Sequence, residues 1–234
     1  MDTRFWGPDG WKLLHSIAYN YPSHPSKNMK QTYIRFFKTL PYILPCVYCR
    51  DSLKQYYKEL PIEDFLNNSN LFDWLYQIHN KVNLKLRNQC LNKKKDPSRL
   101  RVRKFYKNYI ATINKNNCID MPGLNFIYSI AFNYPTHKDN FKNKIRFTKH
   151  KIFLKLLDDV IPFAKFKKIY RNITKDADFN KILLRRSLFK KWFYKTDKQI
   201  KDEIELKCSS YRDQCDFIET YRATCTKKTC RINH

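Results

Sequence analysis

Two cysteines in the stretch PCVYC, Cys46 and Cys49, are the side chains of this chain best suited to do chemistry. On a helix their spacing puts both on one turn, with Cβ atoms close enough for a disulfide. The N-terminal end of a helix stabilises a thiolate, so the pair suits cycling between dithiol and disulfide. Other readings of the same spacing compete. A thioredoxin-like site needs a βαβ setting, and no run of period two is long enough here to make a sheet. A zinc site needs a second ligand pair, and Cys90 and Cys118 supply no further C-x-x-C. An inert crosslink needs nothing else. The redox reading carries a demand of its own: no side chain accepts an electron pair, so a cofactor is required.

The elements that must hold this pair are helical. GWKLLHSIAYNY, from residue 10, places Trp11, Leu14, Ala18 and Tyr21 at helical spacing. A second helix carries Ile34, Phe37 and Leu40 on one face and ends near Pro41. Pro45 suits the first turn of the helix that carries the two cysteines. Asn70 is placed to cap LFDWLYQIHNKVNLKL, and Ser98 to cap a basic fifth helix over residues 97–113. Only 3 of the 234 residues are Gly, and 42% are hydrophobic, which allows a real core without Gly-rich loops. The expected class is all-α, arranged as two small helical bundles.

The number two comes from a repeat. Residues 10–24 read GWKLLHSIAYNYPSH and residues 123–137 read GLNFIYSIAFNYPTH, identical at eight of fifteen positions. The register continues with small insertions: LPCVYC at 44–49 falls on IPFAKF at 161–166, WLYQIHNKVN at 74–83 falls on WFYKTDKQIK at 192–201, and Cys90 falls on Cys208. Residues 1–118 and 120–234 therefore read as two copies of one unit, joined at NKNNCIDMPG.

Charge and length exclude some classes. With 47 Lys and Arg against 21 Asp and Glu, a formal +26, the chain attracts polyanions without any specific site. No nucleic-acid motif accompanies the charge, and a composition dominated by Lys, Asn, Ile, Tyr and Phe accounts for it as drift, so nucleic acid is not expected as a specific partner. Charges interrupt every apolar run well before the roughly 18 residues of a membrane span. MDTRFWGPDG has no basic region followed by an apolar one, so no signal peptide is expected.

Three ordered motifs in residues 4–90 bear on the missing cofactor: WGPDGWKLLH at 6–15, PCVYC, and HNKVNLKL at 79–86. Together they resemble the Erv/ALR family of FAD-linked sulfhydryl oxidases. The resemblance implies FAD held in a helical bundle by residues drawn from Arg4, Gly7, Trp11, His15, Tyr19, Cys49, His79, Asn80, Val82, Asn83 and Lys85. His79 and Asn83, at i and i+4, share a helix face and offer donors and acceptors to an adenine or ribose, while Trp11 and His15 can lie along a ring system. Lys85 and Arg4 are candidates for the pyrophosphate. Tyr19 and Tyr48 stay open between pocket wall and packing, and Trp74 reads as core. The family also implies that Cys46 meets protein thiol substrates, that Cys49 lies against the flavin, and that O2 takes the electrons as hydrogen peroxide.

In the second copy Cys46 and Cys49 become Phe163 and Phe166, Trp11 becomes Leu124, His15 becomes Tyr128, and His79, Asn80 and Asn83 become Asp197, Lys198 and Lys201. A scaffold without FAD is expected, occupying a dimer partner's place as a pseudo-dimer within one chain; homodimerisation through the first copy is the alternative. The family resemblance further implies structural disulfides Cys90–Cys118 and Cys208–Cys225, the second having a C-x16-C spacing, and a shuttle among Cys215, Cys225 and Cys230. No metal is expected. Composition and the degenerate copy suggest an oxidase of a large DNA virus, working in host cytoplasm or packaged in virions. The competing function is a basic, disulfide-crosslinked binding module for nucleic acid or acidic partners. A narrower variant is an oxidase that also holds an acidic substrate on its positive face.

Overall fold

A computed structural model of the chain describes residues 1–66, 70–91, 94–116, 119–135 and 141–222, the last segment without the side chains of 141 and 142. Every regular element among them is a helix. The first seven are α1 (Thr3–Tyr19), α2 (Lys27–Phe37), α3 (Leu40–Ile43), α4 (Val47–Glu59), α5 (Ile62–Leu66), α6 (Leu71–Asn88) and α7 (Arg99–Lys115). Six follow: α8 (Leu124–Phe132), α9 (Phe141–Val160), α10 (Ala164–Thr174), α11 (Phe179–Ile182), α12 (Arg186–Glu203) and α13 (Tyr211–Thr220). The second series repeats the first in order, with α9 running through the place of both α2 and α3.

Local chemistry explains where several helices begin. α1 starts seven residues before Gly10 and contains Pro8. The Asp2 side chain accepts from Arg4 N at 2.9 Å, capping it, and Trp6 is buried against Phe126, so cap and packing offset the N–H that Pro8 lacks. α2 stops at Phe37, short of Pro41, which instead opens the one-turn α3. Pro45 precedes α4 and does not sit in its first turn: Cys46 is the cap residue. Ser98 caps α7, its Oγ accepting from Arg101 N at 3.4 Å, whereas Asn70 holds the cap position of α6 without a side-chain cap bond. α5, one turn long, is too short to leave a periodic signature.

The two series share one hydrophobic cluster. Its fully buried members include Trp74, Phe36, Phe37 and Leu13 from the first series and Phe126, Phe153, Phe189 and Phe193 from the second. Burial of side chains this size contributes roughly 1.5–3 kcal/mol each. Equivalent helices pack against each other: α1 on α8, and α2 with α3 on α9. The contacts are reciprocal, as at an isologous interface. A Cβ at Gly10 would lie 3.1 Å from the Phe126 ring, and a Cβ at Gly123 would lie 2.5 Å from Leu13 Cδ2. Gly10 corresponds to Gly123 and Leu13 to Phe126 in the repeat, so one contact is made twice. Phe36 and its counterpart Phe153 stack on each other, ring centroids 5.2 Å apart. Asp9 of α1 binds the start of α8, accepting from Gly123 N at 3.0 Å and Asn125 N at 2.8 Å.

The repeat is less regular at the ends of α6 and α12. Both stop in a left-handed residue, Cys90 (φ 56°) and Glu205 (φ 58°), and in both the next N–H reaches back five residues, from Leu91 to Leu86 O and from Leu206 to Lys201 O. Cys90 therefore corresponds to Glu205 at the helix stop, and Cys208 lies three residues beyond it, although the sequence register sets Cys90 on Cys208.

Candidate functional site

The dithiol sits where α4 begins. Cys46 takes the cap position, and its Sγ accepts from Cys49 N at 3.3 Å. A sulfur placed there feels the positive end of the helix, which favours its thiolate. Both cysteines are half-buried against the core, while Val47 and Tyr48 between them are exposed. Exposed Tyr48 is thus not a buried pocket wall. Cys49 shares a helix face with Ser52 and Tyr56, at i+3 and i+7. That face meets α6: Lys85 Nζ donates to Ser52 Oγ at 2.7 Å and Tyr56 Oη to Lys81 O at 3.4 Å. Cys49 is therefore the cysteine on the α6 side.

α1, α6 and α7 bring the predicted aromatic residues together. The Trp11 indole and His79 imidazole stack at 3.8 Å and 11°. His15 Nε2 and His79 Nδ1 lie 3.0 Å apart, and the His15 ring stacks on Tyr106 of α7 at 4.9 Å. Tyr106 Oη in turn donates to Trp11 O at 3.3 Å. Burial keeps both imidazoles uncharged at neutral pH: it holds His15 well below its ordinary value, with the neighbouring His79 adding to the effect, and brings His79 down to about 4. A pair of neutral imidazoles shares one proton across its hydrogen bond. His15 Nδ1 is buried with no hydrogen-bond partner among the described residues, an orphan polar atom of the kind that a bound group satisfies.

Polar groups edge this cluster. Asn83 Nδ2 donates to Asp96 Oδ1 at 2.8 Å, and Arg87 holds the same carboxylate with two bonds of 2.9 Å. Those bonds keep Asp96 below the usual carboxylate range, led by the Arg87 fork. Tyr19 meets the edge of Phe72 at 6.0 Å, and the Arg103 guanidinium lies over both rings. Asn80 and Val82 are half-buried on α6. Gly7 is half-buried, and a Cβ there would meet nothing within 4 Å. Arg4 is exposed at the start of α1 and paired with Asp2. The structure thus gathers Trp11, His15, His79, Asn83 and Lys85 between α1, α4 and α6, and leaves Arg4 engaged elsewhere. Tyr106, Asp96 and Arg103 were not visible as site residues in the sequence, since none belongs to a motif.

At the equivalent place in the second series, Tyr128 Oη donates to Asp197 Oδ2 at 2.7 Å, where the first has His15 and His79. Lys201 Nζ reaches the same oxygen at 3.2 Å. A cavity of about 390 Å³ opens there, lined by Leu124, Tyr128, Asp197 and Lys201 among others. Phe163 and Phe166, in place of the cysteines, are buried in the core. Trp74 is fully buried, with Nε1 donating to Leu60 O at 2.9 Å, while its counterpart Trp192 is half-buried. Of the remaining cysteines, Cys90 is exposed and Cys208 and Cys215 are half-buried. Cys118, Cys225 and Cys230 lie outside the described residues, and with them both expected structural pairings.

Residues 8–106 match the model of the Erv1 / Alr family. The chain is 33% identical over 92 residues to a protein of Invertebrate iridescent virus 6 named as an FAD-linked sulfhydryl oxidase, covering 83% of that relative and 37% of itself. The chain belongs to the Erv1 / Alr family. A second family member so named, from Invertebrate iridescent virus 3, is 31% identical over 103 residues, 70% of its length and 44% of this chain. A third, from Acanthamoeba polyphaga mimivirus, is 36% identical over 85 residues. The chain spans only 59% of that third relative's length, with 36% of its own. No solved structure matches the chain. No helix among the described residues is long and apolar enough to cross a membrane.

Proposed function

We propose that this chain is an FAD-linked thiol oxidase that makes disulfides in protein substrates, with residues 1–118 as the catalytic unit and residues 120–234 as a non-catalytic copy. The observation that carries the reading is the neutral Trp11–His79–His15 cluster on α1 and α6, beside the helix that presents Cys49. A flat, uncharged aromatic wall with one orphan imidazole nitrogen fits a large heteroaromatic ring, and the names of the relatives agree with FAD as that group. Trp11, His15, His79, Asn80, Asn83 and Lys85 would hold it. Lys85 and Arg103 would supply positive charge to its diphosphate, whereas Arg4 is paired with Asp2.

The chain's own residues perform the thiol chemistry. A substrate thiolate attacks Cys46 Sγ in the Cys46–Cys49 disulfide; a mixed disulfide forms and Cys49 leaves as thiolate. A second substrate thiolate attacks the substrate sulfur, and Cys46 leaves. The Cys49 N–H and the start of α4 stabilise this leaving thiolate, which favours Cys46 as the substrate-facing member. Two electrons now reside on the dithiol. FAD, when bound, would supply the two-electron acceptor needed for the Cys46–Cys49 bond to re-form, with O2 as the final oxidant and hydrogen peroxide as its product. A shuttle among Cys215, Cys225 and Cys230 would relay substrate thiols to this pair.

The test is the absorbance spectrum of the purified protein, together with oxygen uptake on dithiothreitol. A yellow protein whose uptake disappears in Cys46→Ser and Cys49→Ser supports the reading. Colourless protein that takes up no added FAD refutes it.

A further inference from the structure

Three arginines meet at the joint between the two halves, and among the described residues none of them forms an ion pair, although the charge of Asp51 reaches Arg50. Arg50, the residue after the dithiol, donates from Nη1 to Leu44 O at 2.6 Å. Arg146 of α9 donates from Nε to Tyr42 O at 3.0 Å and from Nη2 to Asn133 O at 3.5 Å. Arg186 of α12 donates from Nε to Tyr134 O at 2.5 Å. The four carbonyls belong to two short stretches, residues 42–44 and 133–134, and Arg146 spans from one to the other. All three arginines are half-buried. Six other arginines pair with Asp or Glu; among the described residues no acidic side chain lies within ion-pair distance of these three, and they differ from the other unpaired arginines in being gathered on one set of carbonyls.

Backbone carbonyls satisfy hydrogen bonds but do not cancel a full charge, and half-buried like charges repel in a medium that screens them poorly. Burial first, then the charges of Arg50 and Arg186, push Arg146 down to about 10. His150 lies one turn along α9, fully buried, with Nδ1 at 2.6 Å from Arg146 O. Burial first, then the charges of Arg146 and Arg50, hold it at about 3, so it adds no charge. Each guanidinium carries five N–H donors. Arg50 and Arg186 each use one on these carbonyls and Arg146 uses two, and among the described residues the other donors make no hydrogen bond. Forked, charged donors of this kind match the oxygens of a carboxylate or a phosphate, and three of them converging from different helices suit the several oxygens of a tetrahedral anion.

We propose that the joint between the two halves binds a small free oxyanion of the phosphate type, held by Arg50, Arg146 and Arg186. The anion supplies the missing countercharge and fastens the loop before Cys46 to the second half. This site is separate from the flavin cluster and does not rest on the oxidase reading.

The experiment uses the full chain and inorganic phosphate as probe, titrated by calorimetry at constant ionic strength maintained with chloride. Saturable one-site binding is expected. Arg146→Gln and Arg186→Gln should each weaken it at least tenfold, while Lys207→Gln, on an exposed position, should leave it within twofold. Arginine modification by phenylglyoxal locates the site in the unmutated protein. Phosphate should slow modification of Arg50, Arg146 and Arg186 at least fivefold and leave Arg212, whose side chain is 91% exposed, unaffected. Absence of saturable binding overturns the proposal, as does equal binding by the glutamine variants. If those variants do not fold, the protection pattern alone decides: modification of the three arginines at an unchanged rate refutes it.

Discussion

Substituting Gly123 by Ala tests the reciprocal packing of the two halves. Gly123 has φ +98°, a left-handed conformation that costs an L side chain roughly 1–2 kcal/mol. Its new Cβ would stand 2.5 Å from Leu13 Cδ2 and 2.9 Å from Leu13 Cβ. Overlap in a packed core costs about 1–3 kcal/mol more, so the total comes to roughly 2–5 kcal/mol. Gly10→Ala makes the pseudo-equivalent contact more gently: its Cβ would lie 3.1 Å from the Phe126 ring. Its helical backbone tolerates Ala, so a change within about 1 kcal/mol is expected. Leu13→Ala alone should cost about 2–5 kcal/mol as a buried large-to-small change. In the double variant Leu13→Ala/Gly123→Ala the overlap with Leu13 Cδ2 and Cγ is gone. The costs should then fall short of additive by about 1–2 kcal/mol. The measurement is urea unfolding followed by circular dichroism and by fluorescence of the four tryptophans, three of them in the first half. A shared core predicts one coincident transition by both probes. Additivity within about 0.5 kcal/mol, or two separate transitions, would refute interlocking halves.

Acid should destabilise the chain through its buried imidazoles. His150 and His79 bind protons only near pH 3 and 4 when folded, and near 6.5 when unfolded. Their contribution is complete above pH 6.5 and is lost as the pH falls, at up to ~1.4 kcal/mol per pH unit for each histidine. Denaturant midpoints between pH 7 and 4 measure it, and His150→Gln should flatten the slope by about one proton; an unchanged slope contradicts the burial argument. The intramolecular pairing of α1 with α8 covers the face that a second chain would need, so light scattering should give the mass of one chain, 28.6 kDa. A dimer formed through α1 and α2 would show that the second half does not replace a partner.

The candidate site of the first half was legible because its parts are local. Cys46 and Cys49 lie within one turn, and Trp11 with His15, or His79 with Asn83, lie one turn apart on a single helix. Helical periodicity and motif order therefore determined the class, the dithiol and most of the cluster. The repeat also announced that Phe163, Phe166, Tyr128 and Asp197 would stand in place of Cys46, Cys49, His15 and His79. Local signals failed where two forces competed: the sequence pattern starts the first helix at Gly10, yet burial of Trp6 and the Asp2 cap carry α1 back through Pro8 to Thr3. The register of Cys90 on Cys208 failed because α12 stops a turn early relative to its middle, a decision made by packing at its end.

Only the tertiary structure decided which faces meet. A periodic pattern says that a face is buried but carries no information about its partner. Tyr106 stacks on His15 across 91 residues of chain, and Gly123 receives Leu13 across 110. Arg50, Arg146 and Arg186 read in the sequence as three of 47 cationic residues. They become a cluster because α4, α9 and α12 converge on the carbonyls of residues 42–44 and 133–134. Sequence determined which residues stand at the start of α4 and on one face each of α1 and α6; the convergence of distant helices determined their neighbours, their charge state and the joint between the two series.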